Sequence, residues 1–212
     1  MDRPELGDQN PSMSNVVARE EELALLFTAA RTHFAWLPDP VHDDLLRRVY
    51  DLARWAPTGS NAQPLRVVFA KSAEAKERLR PALAPMNVEK VMTAPATAIL
   101  AYDARWYDQM PKLVPFREGV REQLLALPDA RRDYLGSTNA VLQAGYFILA
   151  ARACGLDCGP IGGFDPAKVD AAFFPDGAWR TILPIVNLGH GDPQKTMPRM
   201  PRLDFDFACR IA

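Results

Sequence analysis

The stretch LLRRVYDLARWAPTGSNAQPLRVVF, Leu45 to Phe69, switches its hydrophobic period halfway along. Leu45, Leu46, Val49, Leu52 and Ala53 recur at helical spacing and make one apolar stripe, as in an amphipathic helix packed on one side. Asp43 and Asp44 stand at its start, where negative charge complements the helix dipole. Pro57 and Pro64 then bracket a loop carrying Thr58, Gly59, Ser60, Asn61 and Gln63. The prolines stiffen that loop, and its short hydroxyls and amides are hydrogen-bonding groups held close to the backbone. From Leu65 to Ala70 the β-branched and aromatic residues of LRVVFA read as a strand.

Outward from this unit, Val16, Leu23, Leu26, Phe27 and Ala30 predict an upstream helix from about Val16 to Ala30, with Glu20, Glu21 and Glu22 facing water. Residues 1–15 read as a flexible N-terminus and 16–212 as a single domain. Downstream, Ser72 caps a helix running to about Leu83, and Ala96 to Tyr102 reads as a buried strand. In 103–128, Pro111, Pro115 and Pro128 interrupt an apolar segment, which predicts an excursion of short helices over a pocket or against a partner. Arg131 to Cys154 reads as a long helix ended by Gly155, followed by a Gly/Pro loop. A short helix from Pro166 to Phe174, a strand from Thr181 to Leu188 and an extended tail from His190 to Ala212 complete the order. Helices outnumber strands and no regular βαβ rhythm appears, so the expected class is α+β.

The 212 residues are 48% hydrophobic and 24% charged, as in a folded globular domain. Lys plus Arg is 25 and Asp plus Glu is 26, a net charge of −1, which gives no bulk attraction to nucleic acid or an acidic membrane. Cys154, Cys158 and Cys209 are an odd set, which argues against a disulfide framework and for a reducing, cytoplasmic setting. Met1 to Gln9 carries charges and no apolar segment, so no signal peptide is expected. The uncharged run from Tyr134 to Ala151 contains Ser137, Thr138, Asn139 and Gln143, suiting a buried helix rather than a bilayer span. Cys154 and Cys158 lack the accompanying His/Cys pair of a zinc site, and neither G-x-S-x-G nor H-E-x-x-H occurs. Gly189-His190-Gly191 fails as a dinucleotide fingerprint because Gln194 stands where the third glycine belongs.

What remains is four dispersed polar clusters, each with an ordinary structural alternative. Arg31-Thr32-His33 offers a guanidinium fork and a hydroxyl to a phosphate or carboxylate, or is a solvated helix end. The 57–64 loop suits the polar edge of a heterocycle, or is a capped turn. Gly159-Pro160-Ile161-Gly162-Gly163 allows backbone groups to approach a flat ligand, or is a plain connection. Lys195, Arg199 and Arg202 lie in a stretch otherwise of Pro, Met and Leu, and suit an anion or a solvated basic edge. Together they describe a flavin mononucleotide (FMN) site.

In this order and spacing the clusters resemble the nitroreductase family of FMN-dependent oxidoreductases, over about Leu23 to Leu203. The Leu45–Phe69 stretch carries the resemblance most specifically. ARTH (30–33), KERLRPAL (76–83), GLDCGPIGGFD (155–165), DAAFF (170–174), GHGDPQK (189–195) and RMPRL (199–203) are most similar to the family's malonic semialdehyde reductases of uracil degradation. The resemblance implies a central, mainly antiparallel sheet flanked by helices, in an intertwined homodimer with FMN at the subunit interface. It implies that Arg31, Thr32 and His33 hold the ribityl-phosphate end, with Arg199 and Arg202 at the phosphate. Pro57, Thr58, Ser60 and Asn61 would come from the other subunit, with Gln63 also binding the cofactor, Asn87 would meet the pyrimidine edge, and Pro160, Ile161, Gly162 and Gly163 would lie along the ring. The chain departs from the pattern in two places. Phe34 and Ala35 stand where relatives often carry a cation for the flavin, and Gly162 where many carry an acid.

The implied activity is hydride transfer from NADH or NADPH through FMN to a small acceptor, with no catalytic side chain and no metal. The expected acceptor is malonic semialdehyde, reduced to 3-hydroxypropanoate. The rivals are a broad reductase of nitroarenes, quinones or enones, and a non-catalytic flavin-binding sensor or structural dimer. A substrate carboxylate would need a cation, for which Arg105, Lys112, Arg117 and Arg121 are candidates. Gly136, Ala140, Ala144 and Gly145 permit close helix approach, which predicts a dimer core along the long helix.

Overall fold

The computed structural model describes residues 17–212, so the expected flexible segment 1–15 lies outside the described residues. The chain runs through α1 (Glu20–Leu23), α2 (Asp43–Ala53), β1 (Leu65–Ala70), α3 (Ala73–Leu79), α4 (Pro85–Met92) and β2 (Ala96–Asp103). It continues through α5 (Met110–Leu113), α6 (Val120–Leu125), α7 (Asp129–Ala153), β3 (Asp157–Ile161), α8 (Pro166–Phe173), β4 (Trp179–Thr181), β5 (Ile185–Gly189) and α9 (Phe205–Ala208). Short single-turn helices fill 106–109 and 193–195.

The sheet has the order β1-β2-β5-β3, with β4 also paired to β2, and every strand pair is antiparallel. Register is set by side-chain alternation. Ala96, Ala98, Leu100 and Tyr102 of β2 face α2 and α7 together with Val49, Ala144 and Phe147. Ile99 and Ala101 face the other way, toward Leu79, Val91 and Val169 on α3, α4 and α8. Helices therefore cover both faces of β2, which explains its unbroken apolar run. The excursion builds a small core of its own, in which Trp106, Tyr107, Met110, Val114 and Val120 surround Ala62 of the polar loop.

Four features differ from the sequence expectations. The first helix is one turn that widens into a π-turn over Ala24–Thr28, with no buried residue. α4 was not foreseen, although Pro85 at its first turn is a helix-start signal. The Gly/Pro segment contains β3, and the expected strand 181–188 is two strands separated at Leu183-Pro184. Gly136, Ala140 and Ala144 turn inward, since a Cβ on Gly136 would lie 2.8 Å from Tyr102 and 2.9 Å from Trp106. The small stripe of α7 thus seats the helix on its own sheet. Its outward face carries Val141, Leu142, Gly145 and Tyr146.

Candidate functional site

The segment after α1 is laced to the β3 edge. Thr32 bridges Cys158 in parallel, and the His33 N–H donates to the Cys158 carbonyl at 3.1 Å. Further on, Leu37 N–H donates to the His190 carbonyl at 2.8 Å and Asp192 N–H to that of Ala35 at 3.0 Å. This double stitch carries the tail back over the 27–34 segment. Arg31 donates to the Met197 carbonyl, and Arg199 Nη2 donates to the carbonyls of Thr28 (2.6 Å) and Ala30 (3.1 Å).

A cavity of about 710 Å³ results, with Arg31, Thr32, Phe34, Arg152, Arg199 and Arg202 among its walls. None of these arginines pairs with a carboxylate among the described residues. Arg152 donates through Nη1 to the Leu26 carbonyl at 2.8 Å, and its buried Nε has no partner. Cations gathered without counter-charge, one with an orphaned donor, suit an anion with several acceptor oxygens. Arg152 was missed by sequence reasoning. Its signal was being the first charge after the uncharged run of α7.

Phe34 connects this cavity to a second group. Lys90 Nζ sits 4.5 Å from the Phe34 ring centroid and donates to Asn87 Oδ1 at 3.2 Å. Asn87 Nδ2 in turn donates to the Gly163 carbonyl at 3.0 Å. A Cβ on Gly163 would lie 2.5 Å from that nitrogen, so the close approach needs glycine, whereas Gly162 faces open space. Pro160 pairs with Val186 and is half-buried, and the Ile161 side chain is buried against the α3/α8 layer, which leaves Ile161 only its backbone to offer.

His33 is not brought to the cavity. Its ring is buried with Nε2 3.4 Å from Asp157 Oδ1, in the space that Gly191 leaves by lacking a side chain. Gly191 N–H donates to the other Asp157 oxygen at 2.9 Å. His33 therefore fastens the tail stitch, a structural role where the sequence suggested contact with a ligand.

The polar loop lies elsewhere. Gly59 N–H donates to Asn139 Oδ1 at 2.7 Å, Gln63 N–H to Thr58 Oγ1 at 3.2 Å, and Asn61 Nδ2 to the Leu113 carbonyl at 3.1 Å. Ser60, Asn61 and Gln63 have φ of +53°, +55° and +42°, left-handed conformations that surrounding contacts must enforce. Pro57, Asn61 and Gln63 border one cavity of about 410 Å³, beside Trp55, and Ser60 borders another. Neither shares a residue with the arginine cavity. One chain thus presents the two halves of the expected site on separate surfaces.

Burial pushes the Cys158 thiol up to about 12, so it carries no nucleophilic chemistry at neutral pH. Among the described residues no group of three His, Cys, Asp or Glu could hold a metal, and no helix is long and apolar enough to cross a membrane.

The sequence profile of the nitroreductase family matches residues 29–190. A protein of Leptothrix cholodnii, provisionally named NADH dehydrogenase/NAD(P)H nitroreductase, is 51% identical over 88% of this chain and 93% of its own. A Rhodopseudomonas palustris protein with the same provisional name is 47% identical over 91% of this chain and 96% of its own. Among solved structures, a nitroreductase-type protein from Exiguobacterium sibiricum crystallised with FMN superposes with a TM-score of 0.80 at 20% identity, over 93% of this chain and 99% of that one.

Proposed function

The chain belongs to the nitroreductase family of NAD(P)H oxidoreductases, and from that premise we propose that it is an FMN-dependent homodimer that reduces malonic semialdehyde to 3-hydroxypropanoate. The observation that carries the cofactor assignment is the arginine cavity, with no carboxylate partner and the orphaned Arg152 Nε. The residues present fit the group. Arg31, Thr32, Arg152, Arg199 and Arg202 would hold the phosphate, Asn87 the pyrimidine edge, and the backbone from Pro160 to Gly163 would lie along the ring. Pro57, Thr58, Ser60, Asn61 and Gln63 would close the site from the second copy, in keeping with their separation from the arginines within one chain. Lys90, beside Asn87, supplies the cation that Phe34 and Ala35 do not.

FMN, when bound, supplies two-electron redox chemistry between a reduced nicotinamide and the acceptor. The chain's residues bind and orient. The guanidinium groups would neutralise the phosphate, and Lys90, held by Asn87 and Phe34, would supply positive charge to the ring's polar edge. The net reaction adds hydride from NAD(P)H to the aldehyde carbon and a proton from water to its oxygen. That product would place the enzyme in pyrimidine degradation. A second reading, a broad nitroarene reductase, is favoured by the provisional names of the relatives at 47–51% identity.

Purified protein should be yellow and should bleach when NADH or NADPH is added without air. Consumption of malonic semialdehyde well above that of a nitrofuran supports the proposed substrate, and the reverse ranking replaces it with the second reading. A colourless protein that ignores FMN, or a flavin that NAD(P)H leaves oxidised, overturns the enzymatic reading in favour of a non-catalytic binder.

A further inference from the structure

Four cations of the excursion are candidates for gripping an anionic substrate, and the structure separates them. Arg121 lies 2.7 Å from Asp108 Oδ1 and 3.6 Å from Glu122, and Arg105 lies 3.9 Å from Asp108. Arg121's charge is compensated, and Arg105, largely exposed, shares the same Asp108 carboxylate. Lys112 borders none of the cavities at the polar loop. Arg117 differs from all three. Its Nη2 donates to Gln123 Oε1 at 3.0 Å, a neutral partner that holds the guanidinium in place without cancelling its charge. No carboxylate of the described residues comes within 4.0 Å of it.

Arg117 borders a cavity of about 120 Å³ between the excursion and the polar loop. The other walls are the apolar faces of Trp106, Met110, Leu124 and Leu135, with Ser60 and Asn139 at the loop side. The polar atoms there are mostly engaged. Asn139 accepts from Gly59 and donates to the Leu135 carbonyl at 2.8 Å, and Trp106 Nε1 donates to the Arg132 carbonyl at 3.2 Å. The Ser60 hydroxyl and the unused Arg117 N–H groups remain.

We propose that this cavity is an anion-reading subsite, in which Arg117 grips the carboxylate of a short monocarboxylic acid while the apolar walls take its carbon chain. The assignment rests on the reading that the 57–63 loop borders the reaction site. The cavity's size admits a chain of a few carbons. Arg117 is itself exposed at the mouth of the cavity, and its planar guanidinium offers two parallel donors to the two carboxylate oxygens. Ser60, held in its left-handed conformation, is placed to donate to the same ligand.

The test compares binding of 3-hydroxypropanoate and its neutral amide, 3-hydroxypropanamide, to FMN-loaded protein by calorimetry. Wild type should prefer the carboxylate by tenfold to about 100-fold. Arg117→Gln should bring the preference to near unity, Arg117→Lys should restore part of it, and Arg121→Gln should leave it intact. Equal binding of both compounds by wild type, no binding of either, or a preference that survives in Arg117→Gln overturns the proposal. NAD(P)H bleaching of the same samples keeps the two readings apart. A flavin that bleaches without any carboxylate preference removes the subsite and leaves the oxidoreductase. An Arg117-dependent preference in a protein whose flavin stays oxidised removes the oxidoreductase and leaves the subsite.

Discussion

Arg202 makes only local hydrogen bonds, from Nη1 to the carbonyls of Met200 (3.0 Å) and Pro201 (3.1 Å), so its charge is free for a ligand. Pro198 and Pro201 restrain its segment and reduce the entropy lost when the guanidinium is fixed. Arg202→Ala should weaken FMN binding by roughly 1.5–3 kcal/mol, with riboflavin affinity unchanged because riboflavin lacks the phosphate. Titrating both flavins into apoprotein checks this, and an equal loss for both places the phosphate elsewhere. A second residue makes a pH prediction. Lys76 is 3% exposed and donates to the carbonyls of Val91 (2.6 Å) and Ala94 and to Thr97 Oγ1 (3.3 Å). Burial pushes its ammonium from the ordinary 10.5 down to about 8. Between those values the unfolded chain binds more protons than the folded one, so stability rises with pH across that window. The contribution is at most roughly 3 kcal/mol. Urea midpoints of wild type relative to Lys76→Met should rise from pH 8 to 10.5, and a flat difference would refute the assignment.

At the scale of elements, α7 shows how one helix serves two surfaces. Its inward stripe of Gly136, Ala140 and Ala144 lets the backbone approach the sheet, and its outward stripe exposes Val141, Leu142 and Tyr146. Gly136→Ala gains about 1 kcal/mol of helix propensity but drives a methyl group into the buried rings of Tyr102 and Trp106. Overpacking of that kind costs about 1–3 kcal/mol, so the melting temperature should fall in calorimetry, and an unchanged or higher value would show that the rings yield freely. α2, β1, β2 and α7 were legible in the sequence because apolar period and end signals act within a few residues. β3 was not. Gly159 and Pro160 have low strand propensity, and Gly159 is required there because a Cβ would lie 2.3 Å from the His33 carbonyl oxygen. The strand exists through its pairing with β5, a partner distant in sequence.

For the whole molecule, the described chain leaves much apolar surface open to solvent. Val141 and Leu142 are 49% and 46% exposed, and Leu25, Phe27, Leu203, Phe205 and Phe207 are more than one-third exposed as well. In the proposed homodimer these side chains would lie in the subunit interface. Under the proposed homodimer, Leu142→Glu places a charge in that interface and should convert dimer to monomer in light scattering. Flavin should leave with the partner, since the polar loop and the arginine cavity are separate surfaces of one chain. A monomeric variant that keeps its flavin would show that one chain binds it alone.

The sequence by itself determined the α+β class, the helix–loop–strand unit at Leu45–Phe69, and which residue types could serve a phosphate, because these follow from local period, turn chemistry and side-chain inventory. Only the tertiary structure decided which of them meet. Arg31, Arg152 and Arg199 are far apart in sequence and share a cavity because the tail is stitched to the segment after α1. The same stitch turned His33 inward against Gly191, and the fold of the excursion paired Arg105 and Arg121 with Asp108 while leaving Arg117 without a counter-charge. Burial and charge pairing are properties of neighbours in space, and local sequence does not encode who those neighbours are.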